Sequence, residues 1–357
     1  MTDPTMPVTG GVDTHKDNHV AAVLNPVGVV LGTSEFPTTS AGYRRLLVWM
    51  RSFGDVAVVG IEGTGAWGAG LARHLTSHDV RVVEVQRPNR QFRRRHGKSD
   101  TADAIGAARA VQSGEASGAP KTADGSVEAI RLLSVARRSA IKARTQAANQ
   151  MHAVVTTAPS ELRSTLAGLN TKRLVERCAR FRTAPATTPL GAARRTLRIL
   201  ARRWQALTAE IVELDAELDN LTADLAPSLR DLPSVGTQTA AALLLAAGDN
   251  PDRLEHERSF AALCGTSPID ASSGRQQRHR LNRGGDRNAN AALYIIVISR
   301  LRWHQPTQAY MQRRLAEGRT KKEIIRCLKR YVARQVHRAI LHDIANIETA
   351  RPPTLAA

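Results

Sequence analysis

The chain has 357 residues, with 51 Lys and Arg against 32 Asp and Glu and a formal net charge of +19. That length allows two or three domains with cores of their own, and that charge points to a polyanionic partner, nucleic acid first. A membrane surface is the rival partner, but no apolar run nears the roughly 18 residues of a spanning helix and no basic-then-apolar signal opens the chain, so a cytoplasmic protein is expected. The three cysteines, Cys178, Cys264 and Cys327, are odd in number and far apart, which argues against a disulfide framework or a thiolate metal site.

In chain order, Val8 to Asp13, Asn18 to Leu24 and Val29 to Phe36 alternate as three strands, with Asn25-Pro-Val-Gly28 as turn chemistry between the second and third. Ser40 is placed to cap a helix running to about Phe53. The apolar run Val56 to Ile61 has buried-strand length and delivers Glu62 at its end. A helix over 66–78, a strand over 80–85 and an alanine-rich helix over 102–111 follow. The order βββαβαβα predicts an α/β RNase H-like N-terminal domain.

In such a sheet the carboxyl ends of strands line one crevice, so Asp13 and Glu62 can sit side by side. Asp100 and Asp103, three apart in Lys98-Ser-Asp-Thr-Ala-Asp103, share one helix face. Taken alone the pair is an ordinary acidic helix start with Ser99 as N-cap. In the company of Asp13 and Glu62 it becomes a cluster of four carboxylates that would repel unless a cation held it. Hard oxygen ligands with no cysteine or histidine pattern suit Mg²⁺ or Mn²⁺, and two such ions about 3.5–4 Å apart serve phosphoryl transfer.

Two decoys lie nearby. His15 and His19, in His-Lys-Asp-Asn-His, lack the helix and glutamate of a zincin site. Gly63-Thr-Gly-Ala-Trp-Gly68 fits a dinucleotide fingerprint, but it follows an antiparallel meander, and Glu62 would press on a pyrophosphate. Between Glu84 and Asp100, the segment Arg87 to His96 places Arg90, Arg93, Arg94 and Arg95 on a strand-to-helix connection, where they would hold phosphates beside the carboxylates.

A Gly, Ala, Ser and Pro-rich linker over 113–125 closes the first domain, expected over 1–120. A helical domain over 121–226 comes next, with one long tract from Glu128 to about Thr156. In its second tract Leu197, Leu200, Trp204, Leu207, Ile211, Leu214, Leu218, Leu221 and Leu225 repeat at alternating spacings of three and four. That is a coiled-coil seam, which pairs helices within or between subunits, and self-association is the favoured expectation. The Arg, Thr and Pro-rich stretch from Ser160 to Pro189 is expected to be irregular.

A mainly α-helical C-terminal domain over 227–345 opens with Pro233-Ser-Val-Gly236 joining two short helices. This is either a helix-hairpin-helix-like element that seats phosphate or an ordinary helical corner. Ile269-Asp-Ala-Ser-Ser-Gly274 then precedes a basic stretch with Arg275, Arg278, Arg280, Arg283 and Arg287. A serine on a glycine loop amid arginines is a candidate nucleophile, although most Ser-Ser-Gly triplets are turns. Helices over 288–303 and 320–342 follow. The last carries Lys321, Lys322, Arg326, Lys329, Arg330 and Arg334 on one face, solvated or against nucleic acid. A disordered tail is expected over 346–357.

Gly11-Val-Asp13, Gly60-Ile-Glu62-Gly-Thr-Gly65, Lys98-Ser-Asp100-Thr-Ala-Asp103, the Pro-Ser-Val-Gly hairpin, and Ser-Ser-Gly274 before Asn282-Arg-Gly-Gly285 stand in one order along the chain. Together they resemble the DEDD transposases of bacterial insertion sequences, bridge-RNA-guided recombinases related to the Piv DNA invertases. The resemblance implies a RuvC-like domain, a coiled-coil domain and a transposase domain with a catalytic serine. It also implies donor and target DNA as substrates and a structured guide RNA as partner. Carried over, Asp13, Glu62, Asp100 and Asp103 form the metal-binding tetrad and Ser273 the nucleophile, with Ser272 adjacent. Pro268-Ile269-Asp270 departs from the family's commoner arginine after the Gly-x-x-Pro turn.

The resulting expectation is a Mg²⁺-dependent DNA recombinase that passes through a 5′-phosphoserine. It would work as a homo-oligomer, a dimer assembling to a tetramer, with its site completed between subunits. The alternatives are a RuvC-like junction nuclease that activates water with the same acids, and a basic architectural protein without chemistry.

Overall fold

The computed structural model describes residues 6–85, 99–116, 118–121, 125–182, 186–248, 254, 256–274, 279–282 and 284–350. The chain forms two compact units, Met1–Gly125 with Ala247–Glu255, and Ser126–Ala246 with His256–Ala357. The helical and C-terminal segments, expected as separate domains, thus share one unit.

The first unit runs β1 (Pro7–Thr14), β2 (Asn18–Leu24), β3 (Val30–Pro37), α1 (Ser40–Arg51), β4 (Asp55–Glu62), α2 (Ala69–Thr76), β5 (Arg81–Val85) and α3 (Asp100–Gln112). Its five-stranded sheet has the order β3-β2-β1-β4-β5. β1 is antiparallel to β2 and β2 to β3, whereas β4 runs parallel to β1 and to β5. This mixed sheet is compatible with an RNase H-like fold. Asn25 closes the second turn, its Oδ1 accepting from the N–H groups of Val27 and Val29. The cap of α1 lies one residue earlier than expected, at Thr39, whose hydroxyl accepts from Gly42 N at 3.1 Å.

The two faces of the sheet are packed differently. Against α1 and α2 it buries Val12, Ala21, Val23, Leu46, Met50, Val59, Ile61, Leu71 and Leu75, an aliphatic core of ordinary depth. Opposite, α3 lies almost on the backbone of β1 and β4. A Cβ on Gly11 would stand 2.2 Å from the Ala104 carbonyl oxygen, and one on Gly60 would stand 2.7 Å from that of Ala107. Glycine on the strands and alanine on the helix bring the start of α3 to the carboxyl ends of β1 and β4.

The second unit runs α4 (Ser126–Thr157), α5 (Ser160–Leu166), α6 (Thr171–Ala179), α7 (Pro189–Leu225), α8 (Pro227–Arg230), α9 (Thr237–Ala247), α10 (Glu257–Leu263), β6 (Ile269–Asp270), β7 (His279–Arg280), α11 (Arg287–Trp303), α12 (Gln305–Ala316) and α13 (Lys321–Ala350). α7 opens with Thr188 accepting from Gly191 N and Pro189 in the first turn. It packs along α4, with Arg137 Nε 2.5 Å from Asp215 Oδ1 and the Arg144 guanidinium 5.6 Å over the Trp204 ring. The leucine seam therefore has its facing helix within the same chain, which removes the sequence argument for pairing between subunits.

The stretch expected to be irregular instead holds α5 and α6. Leu162, Leu166, Leu174, Val175 and Cys178 bury against Met151, Val155, Leu197 and Leu200. Apolar residues at helical spacing outweigh the charges around them, and Asn170 caps α6 through Arg173 N. Helix α12 is a further element that the sequence reading lacks. α13 continues to Ala350, past the position where a tail was expected to begin.

The basic face of α13 also divides. Lys321, Lys322, Arg326 and Arg334 are exposed. Lys329 is buried with its ammonium on Asn290, and Arg330 pairs with Glu257, so these two are internal contacts.

Candidate active site

β1 ends by presenting Asp13 towards α3, because residues alternate sides along a strand and Gly11 already faces that helix. The parallel register sets Val12 opposite Ile61, so Glu62 follows on β4 beside Asp13 and on the same face of the sheet. Thr14 fastens the two strand ends, its hydroxyl donating to the Glu62 carbonyl at 2.8 Å. Ser99 caps α3 by accepting from Ala102 N at 3.2 Å, which fixes where Asp100 and Asp103 start the helix.

Asp103 is 3% exposed and Asp13 7%. Asp100 stays at the surface. Burial raises the pKa of Asp13, His15 opposes that shift, and the charges of Asp103 and Asp100 add to it. His15 lies between the two aspartates reaching it, with Nε2 3.2 Å from Asp13 Oδ2 and 3.4 Å from Asp100 Oδ1. Ligand atoms of Asp13, His15 and Asp100 all lie within 4.8 Å of one another.

The donor set fits a divalent ion: hard oxygens on two rigid elements, one buried carboxyl held against its usual ionisation, and acidic neighbours that a cation would relieve. His15 is the residue that the sequence reading set aside. The His-Lys-Asp-Asn-His spacing points only to a zinc pattern, but two residues beyond Asp13 in extended chain His15 returns to the same side. That periodicity was the available signal.

His19 faces the other side of the sheet. It is fully buried and stacks on Tyr43 with ring centroids 5.7 Å apart, and burial pushes its pKa down to about 4. It is a core residue.

In the second unit, Asp270 Oδ1 accepts from both the backbone N–H and the hydroxyl of Ser272, an Asx turn that commits Ser272 to its own loop. Ser273 follows, exposed, and Gly274 takes the left-handed conformation with φ +57. Arg280 is exposed on β7, whose register pairs it with Ile269. Arg90, Arg93, Arg94, Arg95, Arg275, Arg278 and Arg283 lie outside the described residues.

The Pro233–Gly236 turn joins α8 to α9 and is braced from two helices. Arg300 Nε donates to the Pro233 carbonyl at 2.8 Å, and buried Asp343 accepts from the N–H groups of Ser228 and Leu229, each at 3.0 Å. No helix among the described residues is long and apolar enough to cross a membrane.

Comparison with known proteins bears on both units. The DEDD transposase model of the IS110 family, described as a transposase, matches residues 10–158 and so contains Asp13, Glu62, Asp100 and Asp103. A second model, described as the transposase IS116/IS110/IS902 family, matches residues 226–312, which contain Ser272 and Ser273. The chain is 28% identical to the transposase for insertion sequence element IS1328 of Yersinia enterocolitica, over 69% of this chain and 71% of that protein. It is 25% identical to a Streptomyces coelicolor mini-circle protein named as a candidate transposase for IS117, over 89% of this chain and 90% of that one. With one family matching along both units in the same order, the chain belongs to the IS110/IS116/IS902 family of insertion-sequence transposases.

Proposed function

We propose that this transposase cuts and rejoins DNA by serine attack at a metal-assisted site. The observation that carries the proposal is the approach of Asp13 and Asp100, from a strand end and a helix start, around His15, with Asp103 buried beside them. Asp13, Glu62, Asp100 and Asp103 would hold Mg²⁺ or Mn²⁺. When bound, the ion supplies charge stabilisation to a phosphate under attack.

The chain's own part is attack by the Ser273 hydroxyl oxygen on a DNA phosphorus. The Oγ–P bond forms, the P–O3′ bond breaks, and the released 3′ oxygen takes a proton. The DNA 5′ end is left on serine as a phosphoester. A 3′-hydroxyl of the other duplex then reverses the step and restores the serine. The bond energy is retained throughout, so no nucleotide cofactor is needed. Ser273 is favoured over Ser272 because the Ser272 hydroxyl already serves Asp270.

Phosphates are held by the arginines at 90, 93, 94 and 95 and at 275, 278, 280 and 283, with the Pro233–Gly236 turn as a further helix-hairpin-helix-like seat. A structured bridge RNA selects donor and target. The working form is a homo-oligomer, a dimer assembling to a tetramer. Large apolar side chains exposed on the two long helices, Leu132 and Val135 on α4 and Val212 on α7, offer it a surface.

The test incubates the protein and its co-purifying RNA with labelled DNA in Mg²⁺. A covalent protein–DNA adduct lost in Ser273→Ala and kept in Ser272→Ala is the expected result. Free cleaved ends without adduct would instead support a junction nuclease that activates water. Mixing Asp103→Asn with Ser273→Ala chains should restore some adduct if sites are shared between subunits.

A further inference from the structure

The segment that carries Ser273 leaves the helical scaffold at Cys264 and returns at Asp286, and its two ends are closed on one another. The Leu263 carbonyl accepts from Asp286 N at 2.6 Å. Gly285 has φ +82, and a Cβ there would stand 2.5 Å from the Leu263 carbonyl oxygen and 2.7 Å from Gly265 N. Gly265 has φ +62, and its Cβ would stand 2.7 Å from the Gly284 carbonyl oxygen. Neither position has room for a side chain, so the mouth of the segment is a backbone-on-backbone contact.

One side chain spans that mouth from outside. Asn290, in the first turn of α11, donates through Nδ2 to the Cys264 carbonyl at 2.8 Å and to the Gly265 carbonyl at 3.2 Å. Its Oδ1 accepts from Lys329 Nζ at 2.6 Å. Lys329 comes from α13 and is 9% exposed, so burial lowers its pKa. A buried ammonium is costly without compensation, and no carboxylate pairs with this one among the described residues. The charge-assisted bond orients the amide so that both its N–H groups meet the carbonyls of the mouth. The Cys264 thiol beside it, its pKa pushed up to about 12 by burial, stays protonated and does not compete as a nucleophile.

A residue there only for stability would be expected to be apolar, since well-packed apolar replacements of buried polar groups are often at least as stable. We infer that Asn290 and Lys329 are positioning residues, a latch from the last helix that sets the angle at which the Ser272–Ser273 segment leaves the scaffold. This rests on the serine reading above. Its effect is confined to alignment, because neither residue lies on the exposed part of the segment. Small misplacement of a nucleophile is enough to slow attack, with about 1 Å costing on the order of 10²-fold.

The experiment compares wild type, Asn290→Ala, Lys329→Met and Lys329→Arg on labelled DNA spanning the ends of the mobile element. It measures the rate of adduct formation in Mg²⁺, the DNA dissociation constant, and backbone hydrogen exchange over residues 264–274. Lys329→Met and Asn290→Ala are each expected to slow adduct formation roughly 10- to 100-fold. DNA affinity should stay within about twofold, and exchange at the mouth should rise. Coupled through one bond, the double variant should be little worse than either single one. Lys329→Arg, which keeps the charge and a donor, should recover part of the rate. If Lys329→Met does not fold, Lys329→Gln makes the same comparison.

Adduct rates within twofold of wild type, or rates that fall only with the folded fraction, would overturn the latch. If wild type itself forms no serine adduct, the serine reading fails instead. The latch is then judged by exchange alone, and an unchanged mouth in Lys329→Met defeats it.

Discussion

The acidic site and the serine segment share glycine-permitted backbone contacts but differ in what carries their side chains. Asp13, Glu62, Asp100 and Asp103 stand on two paired strands and a capped helix, placed by glycine-on-alanine packing that fixes backbone against backbone. Ser273 stands between two-residue strands, on a segment held at its base by Gly265, Gly285 and the amide of Asn290. A cation site needs its ligands preorganised to within fractions of an ångström. An attacking hydroxyl has to meet a phosphate that arrives with the substrate. Carboxylates carried on paired strands and a helix, and a hydroxyl carried on a loop anchored at its base, are consistent with the two tasks proposed for them.

The difference can be broken most sharply on the rigid side. Gly11→Val places a Cβ against α3 backbone that cannot move aside, so the first unit should lose about 3 kcal/mol or more and fail to fold. Circular dichroism of the purified variant would reveal it, and a native-like melting curve would show that α3 can slide off the sheet.

Asp13→Asn comes next and separates function from stability. Strand cleavage should fall on the order of 10²-fold or more as the proposed metal ligand is lost, while stability without metal should rise. The sign follows from the raised pKa of Asp13. A carboxyl that holds its proton more tightly when folded stabilises the fold at low pH, and that contribution disappears as pH climbs through the folded pKa. At neutral pH the buried carboxylate is a liability that the amide removes. The melting temperature should rise by about 2–4 °C for each kcal/mol relieved, and no rise in metal-free buffer would contradict the charge crowding described for the site.

A third test concerns the leucine seam. Because α7 packs on α4 within the chain, Leu207→Asp with Leu214→Asp, both at half-buried positions, should destabilise the chain itself by up to about 1–3 kcal/mol each, with no change in subunit count. A folded variant of smaller assembled mass in light scattering would restore the seam as a contact between chains.

The strands and helices of the first unit were readable because each carries a clean period: apolar runs into Asp13 and Glu62, alanines along α3, Asn and Gly at the turn. α5 and α6 were not, since arginine, threonine and proline hide two short apolar stripes that only make sense once Met151 and Leu197 are there to cover them. The pairing of Lys329 with Asn290 joins residues 39 apart in sequence. On a helix whose neighbours Arg326 and Arg334 are solvated, nothing local marks one lysine as internal. His15 stands two residues from Asp13, and a zinc pattern in His-Lys-Asp-Asn-His says nothing of the carboxylates it lies beside. What the sequence hides in each case is a contact made by tertiary packing.

The smallest effect, and the one confined to a change of pH, belongs to His19 on the far side of the sheet from the carboxylates. Its ring is buried against Tyr43, and its pKa falls from 6.5 to about 4. The folded state therefore keeps it neutral where the unfolded chain takes up a proton. A base with a depressed folded pKa contributes its full stability above the unfolded value. It loses that stability as pH falls, here from about 6.5 to about 4, at up to roughly 1.4 kcal/mol per pH unit for one proton. His19→Phe keeps a ring against Tyr43 and removes the titration. Activity and melting temperature at neutral pH should stay close to wild type, while denaturant midpoints between pH 6.5 and pH 4 should fall less steeply. Parallel pH profiles for the two proteins would mean that the ring gains its proton in the folded state as readily as in the unfolded one.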